Sequence, residues 1–394
     1  MNFLLEEVDK LTDNNNPEIT VVLPCLNEAE AVGACVEEAF KGIALTGLSG
    51  EVVVVDNGST DASEERAKSA GARVVRESRK GYGSAYLRGF AEAKGNYVIM
   101  ADADGTYDLT QIPQFIERLR SGDDFVNGSR ARGAIPFLHR YVGVPILTWV
   151  LNILSGTRFS DAHCGIRGFT KEAIKKMRLR TTGMEFASEI ILQSARVKLR
   201  TSEMAVPYRE RTGESKLRSF PDGWRHLRFM FLYSPNALFI VPGLSAFVLG
   251  KALIWSLVWG ALTIGNITLD YHYMIGGSVI AIMGFQALLL GLHARIYFDT
   301  VGLTQDDPLV SWISRNITLE RGLVFGLLLI IGGVISFGWL VNEWLSGGQA
   351  FASNYATRIG LLGLTLLVIG VQAIFSSFFL SILGISVVTN TNDQ

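Results

Sequence analysis

The chain has few cysteines: Cys25, Cys35 and Cys164, an odd number with no metal-type spacing. This argues against a disulfide framework or a cysteine-built zinc site, and fits a reducing compartment where each thiol packs rather than reacts. Net charge is also nearly missing, since 36 basic and 37 acidic residues leave −1. That balance names no polyanionic partner, and no nucleic acid is expected. The opening MNFLLEEVDK is acidic and lacks a long apolar core, so it is not expected to be a signal peptide. Charge becomes scarce after Pro235, and 48% of all residues are hydrophobic. Membrane content is expected in the C-terminal part.

The stretch around which the rest is arranged is Tyr97–Asp108, YVIMADADGTYD. Four strand-like residues end in two carboxylates one residue apart, Asp102 and Asp104, followed by Gly105, which turns the chain at little steric cost. An Asp-x-Asp pair at the carboxyl end of a buried strand lies where open α/β sheets bind ligands. Two hard oxygen donors at that spacing suit Mg²⁺ or Mn²⁺, with substrate phosphates completing the shell. Asp and Gly are also ordinary turn residues, so on these residues alone a metal site and a polar turn stay equally open.

Upstream the same pattern repeats. Ile19–Leu23 is a β-branched run stopped by Pro24, and Asn27 with Glu28 is read as opening a helix over 29–41. Glu51–Val55 is a second buried strand ending in Asp56, and Thr60 or Asp61 is the expected cap of the next helix. Ala72–Arg76 is the third strand, and Lys80-Gly81-Tyr82-Gly83-Ser84 opens a helix through Ala93. Strands and helices alternating in this way predict a right-handed, doubly wound, mostly parallel sheet. KGYGSA lacks the third glycine of a dinucleotide fingerprint. It is read either as a loop letting backbone approach a phosphate or as a plain turn.

The segments LPCLNEAE (23–30), VVVVDNGSTD (52–61), KGYGSA (80–85), ADADGTYD (101–108) and VNGSR (126–130) resemble family 2 glycosyltransferases of the GT-A fold. DAHCGIRGF (161–169), TTGMEFASEI (181–190) and YRERTGESKLRSF (208–220) are similar to the branch that loads a sugar onto a polyisoprenyl phosphate, the dolichol-phosphate mannose and glucose synthases. The resemblance covers about 25–235. It implies a nucleotide-sugar site of Pro24, Asn27, Glu28, Asp56, Lys80, Gly81, Asp102, Ala103, Asp104 and Glu185. Mg²⁺ or Mn²⁺ would sit on Asp102 and Asp104. Thr106 replaces a glutamine that often joins the metal in relatives, so the third protein ligand is open.

The implied chemistry is a single in-line displacement that inverts the anomeric carbon. A phosphate acceptor is mostly dianionic at pH 7 and scarcely needs a general base, so cationic positioning should dominate. Ser129, Arg130, Arg211, Ser215 and Lys216 are the candidate acceptor-phosphate cradle. Asp161 joins Asp102 and Asp104 as a catalytic candidate, with positioning favoured over base catalysis, and His163 is read as packing. The processive Gln-x-x-Arg-Trp signature is missing, so one transfer per encounter is expected.

Ile135–Leu154 is apolar but broken by Arg140 and Pro145, too interrupted for a clean span. Phe220, Trp224, Leu227 and Phe231 share one helix face, with Arg225, His226 and Arg228 off it, as in an interfacial helix with cations at headgroup level. A soluble-core helix shows the same stripe. Four apolar segments near 237–262, 273–297, 322–342 and 359–387 are each long enough to cross about 30 Å of hydrocarbon.

The positive-inside rule puts the catalytic domain and both termini in the cytoplasm, in an inner or plasma membrane. Lys251 lies mid-span, with a functional role, a neighbouring subunit and a carbonyl partner all open. Gly-rich runs such as Gly332-Gly333 would permit a homo-oligomer through the spans.

The expected architecture is a polar leader (1–18), a GT-A domain (19–218), an amphipathic helix (219–235) and a four-helix transmembrane domain (236–390). The expected partners are a nucleotide-sugar donor, a polyprenyl (undecaprenyl or dolichyl) phosphate and the bilayer. UDP-glucose is the first donor, then GDP-mannose or a UDP-N-acetylhexosamine. A nucleotidyltransferase and a non-catalytic membrane scaffold remain as readings of other classes.

Overall fold

The computed structural model describes residues 17–130, 143–211, 219–300, 308–346 and 354–383. The chain divides into two compact units between Met230 and Phe231.

The first unit is built on a seven-stranded sheet in the order β3-β2-β1-β4-β6-β5-β7. The strands are β1 (Ile19–Cys25), β2 (Gly50–Asp56), β3 (Arg73–Arg76), β4 (Tyr97–Met100), β5 (Phe125–Arg130), β6 (Arg167–Thr170) and β7 (Thr201–Val206). β6 runs antiparallel to both its neighbours, and the remaining pairs are parallel. The mostly parallel sheet follows from the sequence: β2 is buried along its whole length, as the apolar run GEVVVVD requires of a strand covered on both faces.

The helices of this unit are α1 (Val32–Ala44), α2 (Ser63–Ser69), α3 (Tyr82–Glu92), α4 (Ile112–Arg120), α5 (Val144–Ser155), α6 (Lys171–Met177), α7 (Phe186–Arg196) and α8 (Ser219–Leu232). α1 buries Val32, Cys35, Val36, Ala39 and Ile43, one face at helical spacing. α3 lies so close to the sheet that a Cβ at Gly89 would fall 2.2 Å from Val22 Cγ1.

Several local expectations need correction. The first strand does not stop at Pro24 but continues to Cys25, with Pro24 in register with Val55. β4 pairs with β1 only as far as Val22, so the absent Pro24 N–H deprives no ladder bond on that side. The first helix begins at Val32 rather than 29, and the Asn27 side chain instead accepts the Thr60 N–H at 2.7 Å. The next helix starts after Ala62 and not after Thr60 or Asp61, and no side chain caps it, although the Asp61 carboxylate accepts the Ser63 N–H at 3.0 Å just before it. VNGSR, whose Asn, Gly and Ser favour a turn, instead makes up all of strand β5 but its first residue, which places Ser129 and Arg130 on a rigid element.

The second unit contains four helices long and apolar enough to cross a membrane: α9 (Asn236–Leu257), α10 (Tyr271–Thr300), α12 (Leu319–Ser346) and α13 (Asn354–Leu383). A short helix α11 (Pro308–Asn316) and a small hairpin, β8 (Leu262–Ile264) with β9 (Ile267–Leu269), lie in connections where no element was expected. α9 and α10 meet through glycines. A Cβ at Gly250 would lie 2.4 Å from Ala281 N and one at Gly284 2.3 Å from Phe247 N. Gly333 is used in the same way against Gly363 of α13, so its small size serves packing within the chain. Lys251 is exposed, with its ammonium 5.5 Å from the Phe247 ring centre. Arg358, at 5% exposure, is hydrogen-bonded to Asp270 and joins the starts of α13 and α10.

Gly250→Leu is expected to force α9 from α10 and destabilise the protein by about 1–3 kcal/mol. Thermal unfolding in detergent checks this, with Gly276→Leu, where nothing lies within 4 Å of an added Cβ, as the control that should change little.

Candidate active site

Strand direction concentrates the functional side chains. β1, β2 and β4 run parallel, so the segments leaving their carboxyl ends, with Glu28, Asp56, Asp102 and Asp104, all lie along one sheet edge. β5 delivers Arg130 to the same edge, and antiparallel β6 starts there, so the loop before it brings Asp161 alongside. The order of strands reverses between β1 and β4, the place where open α/β sheets form their ligand crevice.

Asp102 accepts hydrogen bonds from the hydroxyls of Tyr82 (3.0 Å) and Tyr86 (3.3 Å). A Cβ at Gly165 would lie 2.2 Å from Asp102 Oδ2, so only glycine fits opposite this carboxylate. Burial and the neighbouring Asp104 push the Asp102 carboxyl up to about 6, against the pull of Tyr82, Tyr86 and Arg211. Ala103, between the two acids, is buried. Asp104 is fixed by the Thr106 hydroxyl (2.6 Å) and N–H (3.1 Å), both to Oδ1. Thr106 thus orients the acid instead of supplying the missing ligand.

The remaining Asp104 oxygen faces Arg211 Nη1 at 3.1 Å, and Arg211 Nη2 donates to Glu28 Oε1 at 2.5 Å. Arg211, read from sequence as an acceptor-phosphate residue, is paired with Glu28 and Asp104, which were read as nucleotide-sugar residues. A guanidinium bridging two carboxylates marks a spot suited to positive charge, and the hard oxygen donors fit Mg²⁺ or Mn²⁺. Among the described residues no group of three or more His, Cys, Asp or Glu side chains is assembled for a metal. A divalent ion would rely on Asp104 and Asp102, with Glu28 near, and would draw its other ligands from substrate.

Arg130 grips Asp161 with both ends of its guanidinium, Nε to Oδ2 at 2.6 Å and Nη2 to Oδ1 at 2.9 Å. Burial works against the guanidinium charge, but the Asp161 bonds outweigh it, so Arg130 stays cationic. Its guanidinium carbon also lies 5.5 Å from the Tyr208 ring centre. Asp161 is thus committed to holding an arginine, which favours positioning. Ser129 and Ser160 share a 2.7 Å hydroxyl contact beside it. Ser215 and Lys216 lie outside the described residues.

The glycine loop behaves differently from either of its sequence readings. A Cβ at Gly81 would stand 2.2 Å from the Thr182 carbonyl oxygen, and one at Gly83 2.2 Å from that of Thr181. These glycines admit the chain's own 181–183 backbone. Lys80 lies over the turn after Asp56, its ammonium reaching the carbonyls of Asn57 (3.3 Å) and Gly58 (3.4 Å). Asp56 itself accepts the N–H groups of Gly58 and Ser59 at 3.2 Å each. Glu185 caps the start of α7, and its side chain lies over Gly183.

Sequence reasoning missed several side chains that hold these parts. Arg167 is fully buried and donates to the carbonyls of Ala162 (2.7 Å), Cys164 (3.0 Å) and Ala187 (3.0 Å). Glu189, also fully buried, accepts the Arg180 N–H at 3.0 Å and the Thr181 hydroxyl at 2.6 Å. Glu203 accepts the Ser160 and Asp161 N–H groups, at 2.9 and 3.1 Å. Arg167 stands inside DAHCGIRGF and was available to a reader of that segment, whereas nothing near Glu203 in the sequence marks it. The three thiols are buried and pushed up, Cys25 to about 11 and Cys35 and Cys164 to about 12, which makes them packing groups.

Comparison with known proteins finds matches along most of the chain. Residues 20–178 match the glycosyl transferase family 2 domain, and residues 292–384 match the glycosyltransferase family 2 C-terminal transmembrane region. The low-salt glycan biosynthesis hexosyltransferase Agl6 of Haloferax volcanii is 39% identical over 93% of this chain and 89% of its own length. The dolichol-phosphate mannosyltransferase of Pyrococcus furiosus is 28% identical over 81% of this chain and 89% of its own. Among solved structures, glucosyl-3-phosphoglycerate synthase of Mycobacterium tuberculosis with Mn²⁺, UDP and glucosyl-3-phosphoglycerate has a TM-score of 0.46 at 21% identity. It covers 59% of this chain and 83% of that one.

Asp102 offers a pH test. Its folded-state carboxyl near 6 lies above the ordinary 3.8, so its contribution to stability is complete below about pH 4 and is lost as pH rises through 6. Asp102→Asn removes that loss, and at pH 7.5 it should unfold at higher temperature than the parent, by at most roughly 3 kcal/mol. The advantage should shrink as pH falls from 6 to 4. A difference that stays constant across this range would assign the gain to something other than ionisation.

Proposed function

Because this chain belongs to glycosyltransferase family 2, we propose that it transfers one hexose from a nucleotide sugar to a polyprenyl phosphate at the cytoplasmic face of a membrane. UDP-glucose is the first donor to offer, followed by GDP-mannose and UDP-N-acetylhexosamines. The single observation that carries this reading is the bidentate Arg130–Asp161 clamp, set on the same sheet edge as Asp102 and Asp104. An arginine held rigid by a carboxylate is pre-organised for a phosphate oxyanion. The names of similar proteins, among them a dolichyl-phosphate hexose transferase of Haloferax volcanii, support a lipid-phosphate acceptor.

On this reading Glu28, Asp56 and the Lys80 segment border the nucleoside, and Glu185 takes sugar hydroxyls. Mg²⁺ or Mn²⁺ at Asp104 and Asp102, when bound, neutralises the departing diphosphate. Arg211, already beside Asp104, goes with the donor's diphosphate rather than with the acceptor. Arg130 and Ser129 orient the acceptor phosphate, whose oxygen attacks the anomeric carbon from the face opposite the leaving group and inverts it. Asp161 keeps Arg130 extended and takes no proton.

The bilayer supplies the lipid. α5 leaves Ile146, Trp149 and Ile153 exposed on one face, as α8 does Trp224, and such faces suit the membrane interface. The arginines before the first span and in the 298–321 connection favour the cytoplasm for the catalytic unit.

Purified protein with undecaprenyl or dolichyl phosphate and Mg²⁺ should convert one donor to lipid-linked hexose, and both EDTA and Asp104→Asn should abolish product. Nucleoside diphosphate released without glycolipid would remove the lipid acceptor from this reading, and silence with every donor would remove the transfer itself.

A second test separates the two arginines. Arg130→Lys should raise the acceptor KM by roughly tenfold or more with little change for the donor, while Arg211→Ala should do the reverse. Asp161→Asn should resemble Arg130→Lys. A loss in kcat alone beyond roughly a hundredfold would instead identify Asp161 as a base.

A further inference from the structure

α8 was expected to place His226 at headgroup level beside Arg225 and Arg228. The structure turns it inward: His226 is 6% exposed, and Phe229 and Met230 share its buried side. Its Nδ1 lies 2.9 Å from the Ser188 hydroxyl, which lies 3.2 Å from His163 Nε2. The two imidazole rings meet edge to face at 4.9 Å. Three side chains from three elements thus form one buried chain of hydrogen bonds: His163 in the loop before β6, Ser188 on α7 and His226 on α8.

This chain ends at the arginine clamp. The backbone N–H of His163 donates to Asp161 Oδ1 at 3.3 Å, the oxygen that also receives Arg130 Nη2, while the ring Nδ1 is buried without a partner. From the other side Arg167 holds the carbonyls of Ala162 and Cys164, which flank His163, and that of Ala187, which precedes Ser188. The loop carrying Asp161 is therefore braced by Arg167 from within the sheet and by His226 from a helix that ends at Leu232. The first span opens at Asn236. Burial, then His226, Arg167 and Arg130 in turn, keep the His163 imidazole neutral.

We propose that His226 is a positioning residue for acceptor use, acting through Ser188 and His163 to hold the Asp161–Arg130 clamp in register with the helix that leads into the membrane. The proposal deepens the lipid-phosphate reading and rests on it. No proton moves along the chain during transfer; the hydrogen bonds fix a distance. Ser188 alternates as donor to one imidazole and acceptor from the other, so removing either end loosens the loop without changing the site's charge.

The test compares His226→Leu, His226→Asn, Ser188→Ala and the double variant His226→Leu/Ser188→Ala in the full-length protein in detergent or nanodiscs. Asn returns a polar atom near the position of Nδ1 and serves as the conservative rescue. His226→Leu and Ser188→Ala should each raise the KM for polyprenyl phosphate about tenfold, with the donor KM nearly unchanged, and the double should be no worse than either single. His226→Asn should recover most of the loss. Additive losses, or equal losses toward donor and acceptor, would overturn the proposal.

Amide exchange supplies a readout independent of turnover. His226→Leu should speed exchange at residues 162–165 while leaving β1 and β4 protected. Unchanged exchange in that loop would sink the positioning role even if activity fell. Should the parent enzyme show no transfer with any donor, exchange still judges the brace while the functional reading fails separately.

Discussion

Acids crowded at one sheet edge repel each other, and much of the catalytic unit consists of ways to contain that repulsion. Parallel strands that end together bring Glu28, Asp56, Asp102 and Asp104 to the edge, and the loop before β6 adds Asp161. Each receives a different remedy. Backbone N–H groups after the strand take Asp56, two tyrosine hydroxyls take Asp102, and arginines take the other three. For Asp102 two neutral hydroxyls and the pull of Arg211 do not outweigh burial and a like charge, and its carboxyl rises toward neutrality. A cation bound at this edge would relieve the repulsion that remains there.

The elements that were legible from sequence are those set by local pattern. A run such as VVVVD admits little besides a buried strand ending in an acid, and the four long apolar segments admit little besides membrane helices. β4 spans the expected Tyr97–Met100. Legibility falls where one segment's form is dictated by a distant one. Gly81 and Gly83 look like a phosphate loop in sequence, yet the carbonyls they admit belong to residues about a hundred positions later. VNGSR reads as a loop because Asn, Gly and Ser favour turns, but pairing with β6 and β7 holds it as a strand.

The site follows the same division. Types of residue were readable, and partnerships were not. Arg130 and Asp161 stand out as candidates from their segments, but their mutual grip exists only in three dimensions. The sequence neighbourhood of Arg211 gave no sign that its guanidinium would bridge Glu28 and Asp104, nearly two hundred and about a hundred positions earlier. Fully buried Arg167 and Glu189 carry no sequence mark of burial, since charged residues are almost never fully buried unless paired. What makes burial tolerable is the set of backbone groups each one satisfies, and those groups come from loops whose shape the charge itself maintains.

His226 shows why an amphipathic pattern alone misplaces such a residue. On a helix wheel it lies beside two arginines and inherits their solvent face. In the fold its neighbours are a serine and a second histidine, both uncharged and both hydrogen-bonding. Its Nδ1 completes a hydrogen-bonded chain that an aliphatic residue would break. A hydrogen-bonding ring rather than an aliphatic side chain is what this place asks for, where α8 meets Ser188 and, through His163, the loop that holds Arg130.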